Sequence, residues 1–215
     1  MREAAVVARH PTQDRILDEA ERLFAHHGFA GASLQELAER VGLSKSSLFH
    51  HFPTKIELYA AVLERLFEHL WISIESRVDR QAGPWTRVGQ TIDLLIDFLA
   101  ERPTTAKLLL RSMIERDFED AGLTPEELRE RHGQYLARII QFFIQALQDG
   151  TNAGVFRPQH IGHFIQSVVG ATLFHFASGN FGEEMIDGDL YAPKNVAARK
   201  EEVKNFIRLG LEERK

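Results

Sequence analysis

The 215-residue chain contains no cysteine, which excludes disulfides, zinc ribbons and thiol catalysis and suits a reducing compartment. No apolar run approaches the ~20 residues of a membrane-spanning helix. The apolar stretch from Ala4 to Ala8 is too short for the core of a secretion signal. Neither a Gly-x-Ser-x-Gly nucleophile turn nor a phosphate-binding glycine loop occurs, and no segment alternates like a half-buried strand. Positive charge is not in excess either: 26 Lys and Arg stand against 31 Asp and Glu, a formal net charge of −5. Overall charge therefore gives no reason to expect a nucleic-acid partner. What remains is the expectation of a cytoplasmic all-α protein, 44% hydrophobic and so able to bury a sizeable core.

Helical periodicity fills most of that chain. A first helix is expected over 12–27, with Ile16, Leu17, Ala20, Leu23 and Phe24 on one face and Gly28 at its end. Ser33 is placed to cap a second helix over 34–41, with Glu36 three residues on. Gly42 suits a helix C-terminus and Ser44 caps a third helix over 45–52, stopped by Pro53. Two short helices joined by so tight a turn form a helix-turn-helix, whose second helix enters the DNA major groove. From Val41 to Ile56 there is no carboxylate, whereas Lys45 and Lys55 are cationic. The hydroxyls of Ser44, Ser46 and Ser47 and the imidazoles of His50 and His51 lie between them. Local sign outweighs total charge here, because salt confines exposed charges to about 10 Å.

Beyond Pro53, Thr54 caps a long helix expected to reach Arg77 and to couple the head to the rest of the chain. Further helices are expected over 85–101, 104–117, 125–148, 159–177 and 195–211. The acid- and glycine-rich stretch 178–194 reads as loop. The helix-turn-helix domain is placed at 1–56 and the second domain at 57–215.

Residues Gln13 to Leu63 resemble the DNA-binding domain of TetR-family transcriptional regulators. The resemblance runs through Ile16–Ala20, Leu23-Phe24, Gly28-Phe29, Ser33–Ala38, Val41–Lys45 and Leu48–Leu58. Gly154 to Pro158 also matches a turn common before the family's penultimate helix. At Phe49 the family often carries tyrosine, so a phenol hydroxyl is missing here. The resemblance implies an N-terminal three-helix DNA-binding domain followed by a six-helix ligand-binding and dimerisation domain. It further implies a homodimer that binds a palindromic double-stranded DNA operator, and a repressor released by a small hydrophobic effector. No cofactor, metal or membrane is implied. Lys45, Ser46, Phe49 and His50 are best placed for base edges, and Ser33, His51 and Lys55 for phosphates. Ser44 and Ser47 complete the polar face, while Leu48 and Phe52 anchor it.

In the second domain Phe98, Met113, Phe142, Phe143 and Phe174 fall at core-like spacings. Packing explains such residues, and so does an apolar ligand cavity; Arg111, Glu115 and His175 are candidates for its polar contacts. A dimer interface is expected along Ile161, Ile165, Val168 and Thr172, with Gly162, Gly170 and Ala171 allowing close approach. Val203, Phe206, Ile207 and Gly210 would supply the second helix of a four-helix isologous contact. His160 and His163 share a helix face but lack a third metal ligand, and the acids Glu183, Glu184, Asp187 and Asp189 do not follow calcium-loop spacing. The competing reading is an all-α small-molecule-binding or enzymatic protein whose helical hairpin binds no DNA.

Overall fold

The computed structural model describes residues 11–114 and 133–212, and these described residues form ten α-helices. They are α1 (Pro11–Gly31), α2 (Leu34–Arg40), α3 (Lys45–His51), α4 (Lys55–Arg77) and α5 (Pro84–Ala100). The second half continues with α6 (Thr105–Ile114), α7 (Gln134–Asn152), α8 (Ile161–Ala177), α9 (Asn180–Ile186) and α10 (Pro193–Leu211). Among the described residues there is no strand.

The head follows from local sequence. The stripe of Ile16, Leu17, Ala20, Leu23 and Phe24 is fully buried, and α2 and α3 close over it with Leu37, Ala38 and Leu48. Gly28 breaks the helical path, with φ 69° and ψ 177°, but the chain re-enters a helical turn that runs on to Gly31. The first helix is therefore kinked where the sequence suggested an end.

α4 joins two regions. Its 23 residues extend about 35 Å at 1.5 Å per residue. At its N-terminal end Tyr59 is completely buried, edge-on to Phe24 at 4.8 Å and tilted against Phe29 at 5.3 Å. The head's core thus includes the first turns of α4, beyond the boundary placed at residue 56. Further along, Phe67, Leu70 and Ile74 turn toward α5, α7 and α8.

A polar junction fixes the head on the body. Arg65 of α4 is buried, 2.8 Å from Asp18 and 3.6 Å from Glu21, and donates to the Asp14 carbonyl at 3.3 Å. Glu21 of α1 also accepts from the hydroxyls of Thr104 (3.2 Å) and Thr105 (2.9 Å) at the start of α6. One carboxylate therefore ties α1 to both α4 and α6.

The body packs α5 and α8 between α4, α6, α7 and α10. Ion pairs of Lys200 with Asp97 (2.5 Å) and Lys204 with Asp93 (3.1 Å) hold α10 to α5. α8 and α10 run antiparallel, since the Arg157 amide donates to the Leu211 carbonyl (2.9 Å) while the Tyr191 hydroxyl donates to the Phe176 carbonyl (3.1 Å).

The expected loop 178–194 contains a short helix, α9, which brings Gly182 against Leu190 and Ser178 with no room for a side chain. α7 extends beyond residue 148 to Asn152, because Gly150 makes space for the Phe156 ring. The helix-start signal at 122–125 and Glu115 lie outside the described residues.

Candidate nucleic-acid interface and ligand cavity

The turn between α2 and α3 is built from backbone requirements. Gly42 adopts φ +66°, and the Leu43 amide reaches back to the Ala38 carbonyl at 2.8 Å, closing α2 in a Schellman turn. Arg15 of α1 donates to the Val41 carbonyl and so holds this turn from behind; turn chemistry alone gave no sign of it. The Ser33 hydroxyl accepts from the Glu36 amide at 3.4 Å. Glu36's own carboxylate is taken by Arg40 at 2.6 Å. The Ser44 hydroxyl accepts from the Ser47 amide at 3.1 Å and shares hydrogen bonds with the hydroxyls of Ser46 (2.9 Å) and Ser47 (2.8 Å).

Only Leu48 of α3 is fully buried. Lys45, Ser46, Ser47 and His50 are exposed, and Phe49 and His51 are half-buried. The Lys45 ammonium lies 5.9 Å from the centre of the Phe49 ring, one turn along the same face. The exposed face therefore offers a cation, hydroxyls, imidazole and one aromatic edge, and no carboxylate. Such a face can meet phosphates and base edges.

Lys55 departs from the expected geometry. Its ammonium donates to the Ala30 carbonyl at 3.1 Å and sits 4.9 Å from the centre of the Phe29 ring. It closes the corner between α1 and α4, so a phosphate at Lys55 must share the cation with these contacts. The Thr54 hydroxyl caps α4 by accepting from the Glu57 amide at 3.2 Å.

The body encloses a cavity of about 220 Å³ between α4, α5, α6, α7 and α8. Its walls are Phe67, Leu70 and Ile74; Thr91, Ile92 and Leu95; Leu109 and Met113; Leu136, Ile139, Ile140 and Phe143; and Ile165, Val168, Val169, Thr172 and Leu173. Met113 and Ile140 are the most exposed of these, so the cavity reaches the surface between α6 and α7. Almost no polar atom of the described residues faces it. The two threonine hydroxyls are spent on their own helices, Thr91 donating to the Arg87 carbonyl (2.8 Å) and Thr172 to the Val168 carbonyl (2.9 Å).

Residues 16–62 match the profile of bacterial regulatory proteins of the tetR family. The HTH-type transcriptional repressor SCO4008 of Streptomyces coelicolor is 32% identical over 152 residues, covering 70% of this chain and 71% of that protein. The chain belongs to the tetR family. Two solved structures share the fold across nearly their whole length. One is the transcriptional regulator FadR of Bacillus subtilis in complex with stearoyl-CoA, with a TM-score of 0.72 and 14% identity over 93% of this chain and 99% of that one. The other is the ketosteroid transcriptional regulator KstR2 of Mycobacterium tuberculosis, with a TM-score of 0.71 and 15% identity over 96% and 97%.

Of the ligand residues expected from sequence, this tetR-family chain brings Met113 and Phe143 to the cavity. The others lie elsewhere. Phe98 is buried off the cavity under the Arg102 guanidinium, and Phe142 packs edge-on against Trp71 with Arg80 beside it. Phe174 is 55% exposed. Arg111 is half-buried on α6 and is not part of the wall. His175 packs against Phe176 near Arg199, and burial, then that guanidinium, lower its pKa to about 4.

The dimer stripe is also redistributed. Ile165, Val168 and Thr172 are cavity wall, Val203 and Ile207 are core, and Ile161 is half-buried. α8 is apolar on two sides, and periodicity alone cannot tell inside from outside; Gly162, Gly170 and Phe206 of the same expected interface lie on the outside. The exposed side of α8 carries Gly162, Gly170 and Phe174, and Phe206 and Leu209 of the antiparallel α10 are 68% and 72% exposed. A side chain at Gly170 would touch nothing within 4 Å, so packing within the chain does not require that glycine.

His160 caps α8, its imidazole accepting from the His163 amide at 3.4 Å. Among the described residues no group of three or more His, Asp or Glu could hold a metal, and no helix is long and apolar enough to cross a membrane.

Proposed function

We propose that this chain is a homodimeric, ligand-responsive repressor that leaves a palindromic operator when a small hydrophobic effector occupies the cavity. It has no enzymatic role and works in the cytoplasm. One observation carries the reading: a single rigid helix, α4, has Tyr59 in the core of the head and Phe67, Leu70 and Ile74 on the cavity wall. Lys45, Ser46, Phe49 and His50 read base edges. Ser33, Ser44, Ser47, His51 and the Thr54-capped end of α4 meet phosphates, with Lys55 setting the corner between them. The paired outer faces of α8 and α10, through Phe174, Phe206 and Leu209, hold two heads at a fixed spacing.

A ligand that widens the cavity displaces α4 and α6. Both helices reach Glu21, so the head moves with them. The ligand must prefer the DNA-free arrangement by the same factor by which it weakens DNA binding. The test is selection of binding sites from random duplexes by the full chain, followed by a salt titration on the selected site. A palindrome and a steep salt slope are expected. A slope near zero, or no selected sequence, returns the chain to the competing reading of a ligand-binding protein with an inert hairpin.

A further inference from the structure

The cavity's chemistry restricts what can fill it. A buried ligand group that hydrogen-bonds to water must find a partner inside or lose about 1–3 kcal/mol, and a charge loses far more. Among the described residues this cavity supplies almost no partner. Its two hydroxyls give their protons to helix carbonyls, and almost no polar surface of the described residues is turned to the space. The charged pair Arg87 and Asp149, which joins α5 to α7 at 2.7 Å, is not part of the wall. Size sets the second limit. An apolar cavity of about 150 Å³ takes benzene, so 220 Å³ corresponds to about nine carbons on the same scale.

We propose that the cavity is built for a neutral hydrocarbon body of about nine carbons, a substituted single ring or its aliphatic equivalent, that brings no hydrogen-bonding group to the wall. This deepens the functional reading above and rests on it. A carboxylate, a coenzyme A thioester or a four-ring skeleton does not fit inside the cavity, which opens to the surface at Met113 and Ile140. The first two would strand polar groups against Leu95, Leu109, Phe143 and Val169, and the last exceeds the volume.

Three nine-carbon probes separate the possibilities: propylbenzene, 4-propylphenol and 3-phenylpropanoate, titrated calorimetrically into the full-length protein. Propylbenzene is expected to bind, 4-propylphenol about tenfold more weakly, and 3-phenylpropanoate not measurably. Equal or tighter binding of the phenol or the acid overturns the proposal, as does absence of binding by all three. Stronger binding of isovaleryl-CoA or stearoyl-CoA than of propylbenzene overturns it too. Val169→Phe fills the cavity from within, and Ile140→Trp narrows its mouth from a position 38% exposed, where a larger side chain does not crowd the core. Each folded variant is expected to lose tenfold or more in propylbenzene affinity; unchanged affinity in both overturns the site assignment.

Operator release is read separately with the selected duplex. Binding of propylbenzene without release leaves the ligand class standing and removes the regulatory reading. Release by an acid or thioester, with no hydrocarbon binding, does the reverse.

Discussion

In the head, Ser44, Lys45, Ser46, Ser47 and His50 all remain exposed around one buried leucine, whereas the body turns seventeen side chains inward around a space that almost no polar atom faces. Both regions are helical, and they differ in how far apart in sequence their contacts lie. The recognition face is assembled within about one helix-turn-helix, by a cap, a Schellman turn and an anchor. The cavity needs five helices spread between Phe67 and Leu173. A polar site that must reach outward can be made locally, but an apolar enclosure has to be made from distant segments.

The sharpest way to break that comparison is to place charge on each side of α8. Val168→Glu puts a carboxylate against a wall whose described residues offer it no partner and should cost more than about 4 kcal/mol, read as loss of the cooperative unfolding transition of the body. Phe206→Glu, on the exposed face, should leave monomer folding within about 0.5 kcal/mol but convert the sedimenting species to monomer and weaken operator binding. If Val168→Glu folds normally and sediments as a monomer, the inner and outer faces of α8 are reversed. A smaller loss is expected in the head. Leu48→Ala removes the only fully buried side chain of α3 and should cost about 2–4 kcal/mol. Operator binding should fall while propylbenzene binding persists. Parallel loss of both would show that head and body fold as one unit without a separable local site.

The same contrast explains what could be read from sequence. Ser33, Gly42, Ser44 and Thr54 each have a physical role within four residues of themselves, and all four appear in the structure as caps or turn residues. Met113 and Phe143 reached the cavity, but Phe98, Phe142 and Phe174, of the same chemistry and similar spacing, did not. Nothing local distinguishes them, because which side of a helix faces a void depends on partners far away in sequence. Arg15, Glu21 and Arg65 were overlooked for the same reason, since their partners lie 26 to 84 residues away. Lys55 shows the converse. Its charge was legible, but its engagement with Ala30 and Phe29 was not.

Coupling between the regions should respond to a still smaller change. Thr105 is completely buried and donates to Glu21, so Thr105→Val removes one hydrogen bond to a carboxylate. The stability cost should be about 1–2 kcal/mol. The informative quantity is the ratio of operator affinities with and without ligand, which should shrink while ligand affinity itself stays within about twofold. An unchanged ratio would assign the coupling to α4 alone and leave the α6 contact with a purely structural role.

At neutral pH the smallest effect concerns where each region keeps its imidazoles. His50 is exposed on the recognition helix, whereas His175 is packed against Phe176 with its Nε2 buried and unpartnered among the described residues. Burial first, and the Arg199 guanidinium second, hold His175 neutral down to about pH 4, while in the unfolded chain its ordinary value near 6.5 returns. Above 6.5 neither state binds the proton and His175 contributes no pH dependence. Between 6.5 and 4 only the unfolded chain takes it up, so folding stability falls as pH falls. Below about 4 both states are protonated and the loss levels off. His175→Leu removes this single titration. Subtracting the variant's unfolding free energy from that of the wild type cancels the other groups, and the difference should be flat above pH 6.5 and fall steadily below it. A difference that stays flat from pH 7.5 to 4 would mean that water or a partner subunit reaches the ring, and the body's exclusion of polar contacts would then stop short of the α8–α10 seam.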